Sequence, residues 1–141
     1  MTHADYDPEA IRDLLASAKT IAVVGASPNT ARPVYGVMAY LLRAGYRVIP
    51  INPGHDGKEI LGQRVYARLA DVAEPLDIVD IFRRQEALSG VVDEALALDP
   101  KPKAIWMQLG LVDDAAAAKA EAAGLTVIMD RCIRIEHGRL F

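Results

Sequence analysis

Short apolar runs recur along the chain. They are Ile21-Ala22-Val23-Val24, Val48-Ile49-Pro50-Ile51, Ile78-Val79-Asp80-Ile81-Phe82, Ala104-Ile105-Trp106-Met107 and Leu125-Thr126-Val127-Ile128-Met129. Most are rich in β-branched residues, and none sustains an apolar/polar alternation. A strand covered on both faces reads this way, and such strands belong to parallel sheets. The segments between them have helical period. In 33–44, Val34, Val37, Met38, Leu41 and Leu42 fall on one stripe, with Pro33 suited to a first helical position and Gly45 to the residue past the end. The stretch 85–98 repeats the pattern with Leu88, Val91, Val92, Ala95 and Leu96. The alanine-rich 112–123 ends at Gly124 and carries Asp113 and Asp114 near its start, where the helix dipole favours anions. A further helix is predicted over 8–18, and the tail 133–140 is expected to be a strand or a loop.

Strand–helix alternation at these lengths predicts a doubly wound α/β domain with a mainly parallel five-stranded sheet flanked by helices. The interval between Ile51 and Ile78 departs from the rhythm. Asn52 to Tyr66 holds three glycines and no long helical stripe. Long irregular connections inside a compact domain are usually functional.

Composition narrows the function classes. With 141 residues the chain is expected to be one domain, 1–141, with 1–18 as an N-terminal helical extension. Hydrophobic residues at 52% and charged ones at 25% are ordinary globular values. Cys132 is the sole cysteine, which excludes an internal disulfide and a CxxC site. A net charge of −3 argues against a dedicated nucleic-acid binder, because neutralising phosphates needs surplus Lys and Arg. The first residues carry no basic and apolar leader pattern, and no apolar run is long enough to span a bilayer. The expectation is a soluble cytoplasmic protein. A protein partner or homo-oligomer stays open.

Ligands of open α/β sheets bind outside the carboxyl ends of the strands. After the first strand come Gly25, Ala26, Ser27, Pro28, Asn29, Thr30 and Arg32; after the second, Asn52, Pro53, His55 and Lys58; after the third, Arg83 and Arg84; after the fourth, Gln108, Leu109 and Gly110; after the fifth, Arg131, Cys132 and Arg134. Basic residues recur at this rim, interleaved with Asp56, Glu59, Glu86 and Asp130. An anion with several phosphates fits, and so does ordinary surface charge. Gly25 directly after a strand, then small polar residues and a helix start, matches a phosphate cradle of backbone N–H groups. It equally matches a tight strand–helix turn, since the second and third glycines of GxGxxG are absent and Pro28 removes a donor. A dinucleotide site wants an acid at the end of the second strand; Asn52 and Pro53 stand there instead, which weighs against NAD. His3, His55, His137 and Cys132 do not make a zinc pattern. Trp106 reads as core, and Cys132 as a small buried residue more than as a nucleophile.

Several stretches together resemble the stand-alone CoA-binding proteins with a Rossmann-like fold, related to the CoA-binding domain of the succinyl-CoA synthetase α subunit and of ADP-forming acyl-CoA synthetases. They are Val24-Gly25-Ala26-Ser27 with Arg32-Pro33, 45–53, Ile60-Leu61-Gly62 with Val65-Tyr66, 77–84, 105–110 and Met129-Asp130-Arg131-Cys132. The resemblance spans about 21–140 and implies coenzyme A as the ligand. By that likeness CoA is contacted by the loop at Ser27, Pro28, Asn29 and Thr30, by the segment matching Ile81, Phe82 and Arg83, and by Met107, Gln108 and Leu109. A CoA-contacting lysine of the synthetases is matched by His55, a departure that Lys58 or Arg32 could make good, since a histidine is only partly charged at neutral pH. The synthetases' phosphohistidine domain and nucleotide-grasping module have no counterpart in these 141 residues. The expectation is therefore a binding protein for CoA or an acyl-CoA, with no catalytic residue and no metal. The rivals are an acyl-CoA or thiol-transfer enzyme using Cys132, and a nucleotide-sensing regulatory module of NAD type.

Overall fold

The computed structural model describes residues 5–141. Along the chain the elements are α1 (Pro8–Ser17), β1 (Thr20–Val24), α2 (Pro33–Arg43), β2 (Arg47–Ile51), β3 (Glu59–Ile60), β4 (Gln63–Arg64), β5 (Ile78–Ile81), α3 (Leu88–Leu96), β6 (Ala104–Met107), α4 (Asp114–Ala122), β7 (Thr126–Ile128) and α5 (Ile133–Leu140). Five strands pair in parallel in the order β2-β1-β5-β6-β7. The chain winds from β1 outward to β2, then returns to the other side of β1 to lay down β5, β6 and β7. The winding reverses between β1 and β5, which is where such sheets open a crevice at their carboxyl ends. The architecture is the doubly wound, Rossmann-like α/β domain that the apolar runs predict.

Both sheet faces are covered, as the run composition requires. On one face α3 and α4 bury Val91, Val92, Ala95, Ala116 and Ala120 against Val79, Ile105 and Val127. On the other, α1, α2 and α5 bury Leu15, Met38, Leu41 and Ile133 against Ile21, Val48 and Trp106. Each fully buried side chain of the Val, Leu or Met kind contributes about 1.5–3 kcal/mol relative to exposure. Local signals fix the helix ends. Asp7 accepts from the Glu9 amide at 3.0 Å and Asp113 from the Ala116 amide at 3.0 Å, both as N-caps, and Gly45 past α2 takes φ +100°.

Two segments differ from the sequence expectation. The tail is a helix. The alternation of Ile133, Arg134 and Ile135 suggests a strand, but the inward positions are Ile133, Glu136, His137 and Leu140, a helical i, i+3, i+4, i+7 set whose middle members are polar, while Ile135 is 56% exposed. The 52–77 interval is structured too. Glu59 and Ile60 pair antiparallel with Arg64 and Gln63, and Leu61 (φ +52°) and Gly62 (φ +76°) form the two-residue turn. Ile60 and Val65 pack into the α1/α2/α5 core, so the loop is anchored rather than loose.

Two aspartates of the β5 region contrast. At its start, Asp77 accepts from the amides of Lys19 (2.8 Å) and Thr20 (3.0 Å) and pairs with Lys103 at 3.4 Å. Burial alone would raise this carboxyl, but those three partners outweigh it and hold it below the usual aspartate value. Mid-strand, Asp80 lies between Val23 and Trp106 in the register, is 0% exposed, and neither carboxyl oxygen has a partner among the described residues. Burial pushes it well above the ordinary value.

Candidate functional site

Gly25 ends β1 at φ +90°, with its amide donating to the Ile51 carbonyl at 3.0 Å. A Cβ built there would sit 2.0 Å from the Phe82 carbonyl oxygen, so β1 and β5 pinch together at this point. The fold itself demands glycine here, before any ligand is considered.

The following loop is less open to a phosphate than its composition suggests. The Ala26 amide also donates to Ile51 (3.3 Å), Asn29 donates to Ser27 Oγ (3.1 Å), Ala31 to Asn29 Oδ1 (3.0 Å) and Arg32 to the Asn29 carbonyl (3.0 Å). With Pro28 lacking an N–H, only the Ser27 and Thr30 amides of 25–32 are without a partner among the described residues. Asn52 braces the arrangement. Its Nδ2 donates to the Ala26 carbonyl at 2.8 Å and its Oδ1 accepts from Gly54 at 2.8 Å. The residue at the ribose-reading position of a dinucleotide site is thus a staple between two loops, with both ends of its amide committed.

Two clefts open at the carboxyl ends of the strands, on either side of Gly25 and Arg83, which line both. The larger, about 540 Å³, lies over β1 and β2 and is bounded by Asn52, Pro53, Gly54, Arg68 and Glu94. The smaller, about 240 Å³, lies over β5 and β6 and is bounded by Arg32, Val34, Phe82, Gln108, Leu109 and Leu111. Arg32 and Arg83 are exposed and make no ion pair among the described residues, whereas Arg68 pairs with Asp71 at 3.3 Å. Arg83 lines both clefts and Arg32 the smaller, and two unpaired guanidiniums so placed are suited to phosphate or carboxylate oxygens.

Comparison with known proteins places the chain. Residues 19–138 match the family described as CoA binding domain. The chain belongs to the CoA binding domain family. YneT of Bacillus subtilis (strain 168) is 41% identical over 127 residues, covering 90% of this chain and 91% of that protein. The solved structure of cell-free ID.343 from Thermus thermophilus is 41% identical, with a TM-score of 0.91 over 96% of this chain and 100% of its own. The acetate–CoA ligase (ADP-forming) of Methanocaldococcus jannaschii is 30% identical over 76 residues, 54% of this chain but 10% of the ligase.

In this CoA binding domain the sequence-singled residues divide by place. Gly25, Arg32, Asn52, Pro53, Phe82, Arg83, Gln108 and Leu109 line one cleft or both. Ser27, Pro28, Asn29 and Thr30 form the loop before α2, and Gly110 the turn beyond Leu109, outside the cleft walls. Ala26, Ile81 and Met107 are buried in the core at 0% exposure, with their backbone groups bonded within the chain, and line neither cleft. His55 sits in the 3-10 turn Pro53–His55 and Lys58 just before β3, both outside the two linings. Arg68, Glu94, Val34 and Leu111 are lining residues that the sequence did not single out. Val34 and Leu111 read as helix and loop hydrophobics, and nothing in the pattern marks Arg68. Cys132 caps α5 half-buried without lining either cleft, and His3 lies outside the described residues. Among the described residues no cluster of His, Cys, Asp or Glu could hold a metal, and no helix is long and apolar enough to cross a membrane.

Proposed function

We propose that the protein binds CoA or an acyl-CoA along the carboxyl rim, with the nucleotide end over the larger cleft and the pantetheine arm crossing the Gly25–Arg83 saddle into the smaller one. The observation that carries this reading is the pair Arg32 and Arg83, unpaired among the described residues, Arg83 bordering both of two adjacent clefts and Arg32 the smaller, in a member of the CoA binding domain family. Asn52, Arg68 and Arg83 beside the larger cleft offer polar contacts to a phosphorylated nucleoside. The smaller cleft carries Arg32, Arg83 and Gln108 beside Val34, Phe82, Leu109 and Leu111, a mixed lining that suits the amides and methylenes of the arm. The committed amide of Asn52 leaves the second-strand position without the acidic ribose ligand of an NAD site.

Thermal melting with CoA, acetyl-CoA, NAD, NADP and ATP tests the reading. A ligand at 100 times its Kd adds about 2.7 kcal/mol, worth several degrees in a domain of this size. CoA raises the melting temperature and NAD does not; an equal or larger shift with NAD overturns the assignment. Calorimetry with dephospho-CoA sharpens it. If Arg68 or Arg83, which line the larger cleft, reads the 3′-phosphate, CoA binds about tenfold to a hundredfold more tightly, less so at high salt.

A further inference from the structure

The walls of the smaller cleft go further than a binding surface for the arm. Val34 is buried at the start of α2, Phe82 is half-buried after β5, and Leu109 reaches out at 60% exposure with Leu111 behind it. An exposed leucine on a rim is common by itself. This one sits on a braced loop. The Gly110 amide donates to Asp130 Oδ1 at 2.7 Å, Asp130 donates from its amide to the Leu111 carbonyl at 3.2 Å, and Gln85 Oε1 accepts from Val112 at 3.2 Å. The apolar wall is therefore held in place before any ligand arrives. At its floor Gln108 is 7% exposed; its Oε1 is fixed by the Ile133 amide at 3.1 Å, which leaves Nε2 as a donor.

Resting on the CoA reading above, we propose that the smaller cleft is an acyl pocket: it accepts the short, uncharged aliphatic acyl group of an acyl-CoA, with the thioester carbonyl oxygen accepting from Gln108 Nε2. The cleft is small, about 240 Å³ against about 540 Å³ for its neighbour, so it suits a short acyl group; butyryl, two methylenes longer than acetyl, is the test case.

Calorimetry on the wild-type protein with CoA and with its acetyl, butyryl, octanoyl and succinyl thioesters decides the matter. Each fully buried methylene is worth about fourfold in affinity, so in this open cleft butyryl-CoA is expected to bind about fivefold to tenfold more tightly than acetyl-CoA. Octanoyl-CoA gains nothing further, and succinyl-CoA, of butyryl length but charged, binds more weakly than butyryl-CoA. In Leu109→Asp, an exposed position where folding is not at stake, the ratio of butyryl-CoA to CoA affinity falls to near one. If CoA binds but butyryl-CoA is no tighter, if affinity climbs on through octanoyl, or if succinyl-CoA wins through Arg32 at the mouth, the acyl pocket is wrong while the CoA reading stands. If neither CoA nor any thioester binds, both fail.

Discussion

At the amino ends of the strands, polar groups find partners within the chain. Asp77 gathers the Lys19 and Thr20 amides and the Lys103 ammonium, the Asp77 carbonyl accepts from Lys103 and Ala104, and Arg47 pairs with Glu74 at 2.9 Å. At the carboxyl ends most of the loop amides and Asn52 are also tied, but two guanidiniums are not. Arg32 and Arg83 stand without counter-charges among the described residues, Gly25 holds a left-handed backbone under the Phe82 carbonyl, and two clefts open beside it. The charges named at the amino ends are thus paired within the chain, and the two guanidiniums at the carboxyl ends are not, among the described residues. The division to be tested is a structural role for the first end and a binding role for the second.

The most forceful way to break this division is at Gly25, where the two roles meet. Gly25→Val combines a clash with Phe82 and a disfavoured φ, and is expected to cost about 4 kcal/mol or more, or to prevent folding. Urea denaturation reads this; a variant of wild-type stability would show that the pinch does not exist in solution. Next, Arg32→Gln with Arg83→Gln should weaken CoA binding by about tenfold to a hundredfold while stability moves by no more than about 0.5 kcal/mol. A double variant that binds CoA normally, or that loses several kcal/mol, would put these arginines on the structural side of the comparison. Asp77→Ala should show the opposite signature. Orphaning the Lys19 and Thr20 amides is expected to lose about 1–3 kcal/mol, with CoA affinity unchanged.

The smallest expected effect concerns His137, packed at the amino-end side. Its Nδ1 lies 2.7 Å from the Tyr40 hydroxyl, its ring stacks on Phe141 at 4.6 Å and meets Tyr46 edge-on, and Arg12 over Phe141 and Arg134 over Tyr40 bring positive charge close. Burial lowers its pKa below the usual 6.5. The folded state then binds fewer protons than the unfolded one in the window below 6.5, so this contribution to stability is lost as pH falls through it. His137→Gln should flatten the slope of melting temperature as pH falls below 6.5, once the Asp80 contribution common to both proteins is subtracted. Parallel curves for the two proteins would refute the assignment.

Much of the fold was legible because buried strands and amphipathic helices write their periods directly. Ile21–Val24, the stripe from Val34 to Leu41 and the glycines at 45 and 124 lie where the pattern put them. The tail was not legible, because α5 turns Glu136 and His137 inward, and an inward polar residue leaves no apolar period to read. The rim was readable only as a neighbourhood. Strand ends point to Gly25, Asn52, Arg83 and Gln108, but whether a loop amide is free depends on long-range partners. The Ile51 carbonyl takes two amides from a loop that follows a different strand, and no local signal announces that. Arg68 reaches the larger cleft only because the β3–β4 hairpin folds 52–77 back across the sheet edge, a tertiary event without a sequence period.

Asp80 has a consequence outside recognition and packing alike. In the unfolded chain its carboxyl is an ordinary aspartate; in the folded sheet it is enclosed between Val23 and Trp106 with no partner among the described residues, and its pKa is displaced upward. Between those two pKa values the chain must capture a proton from solvent as the sheet closes. For this carboxyl, folding consumes a proton and unfolding returns it. A weakly buffered sample carrying a pH-indicator dye would register this as an acid pulse on denaturation, smaller in Asp80→Asn. The sheet thus couples its own assembly to the proton activity of the surrounding solution.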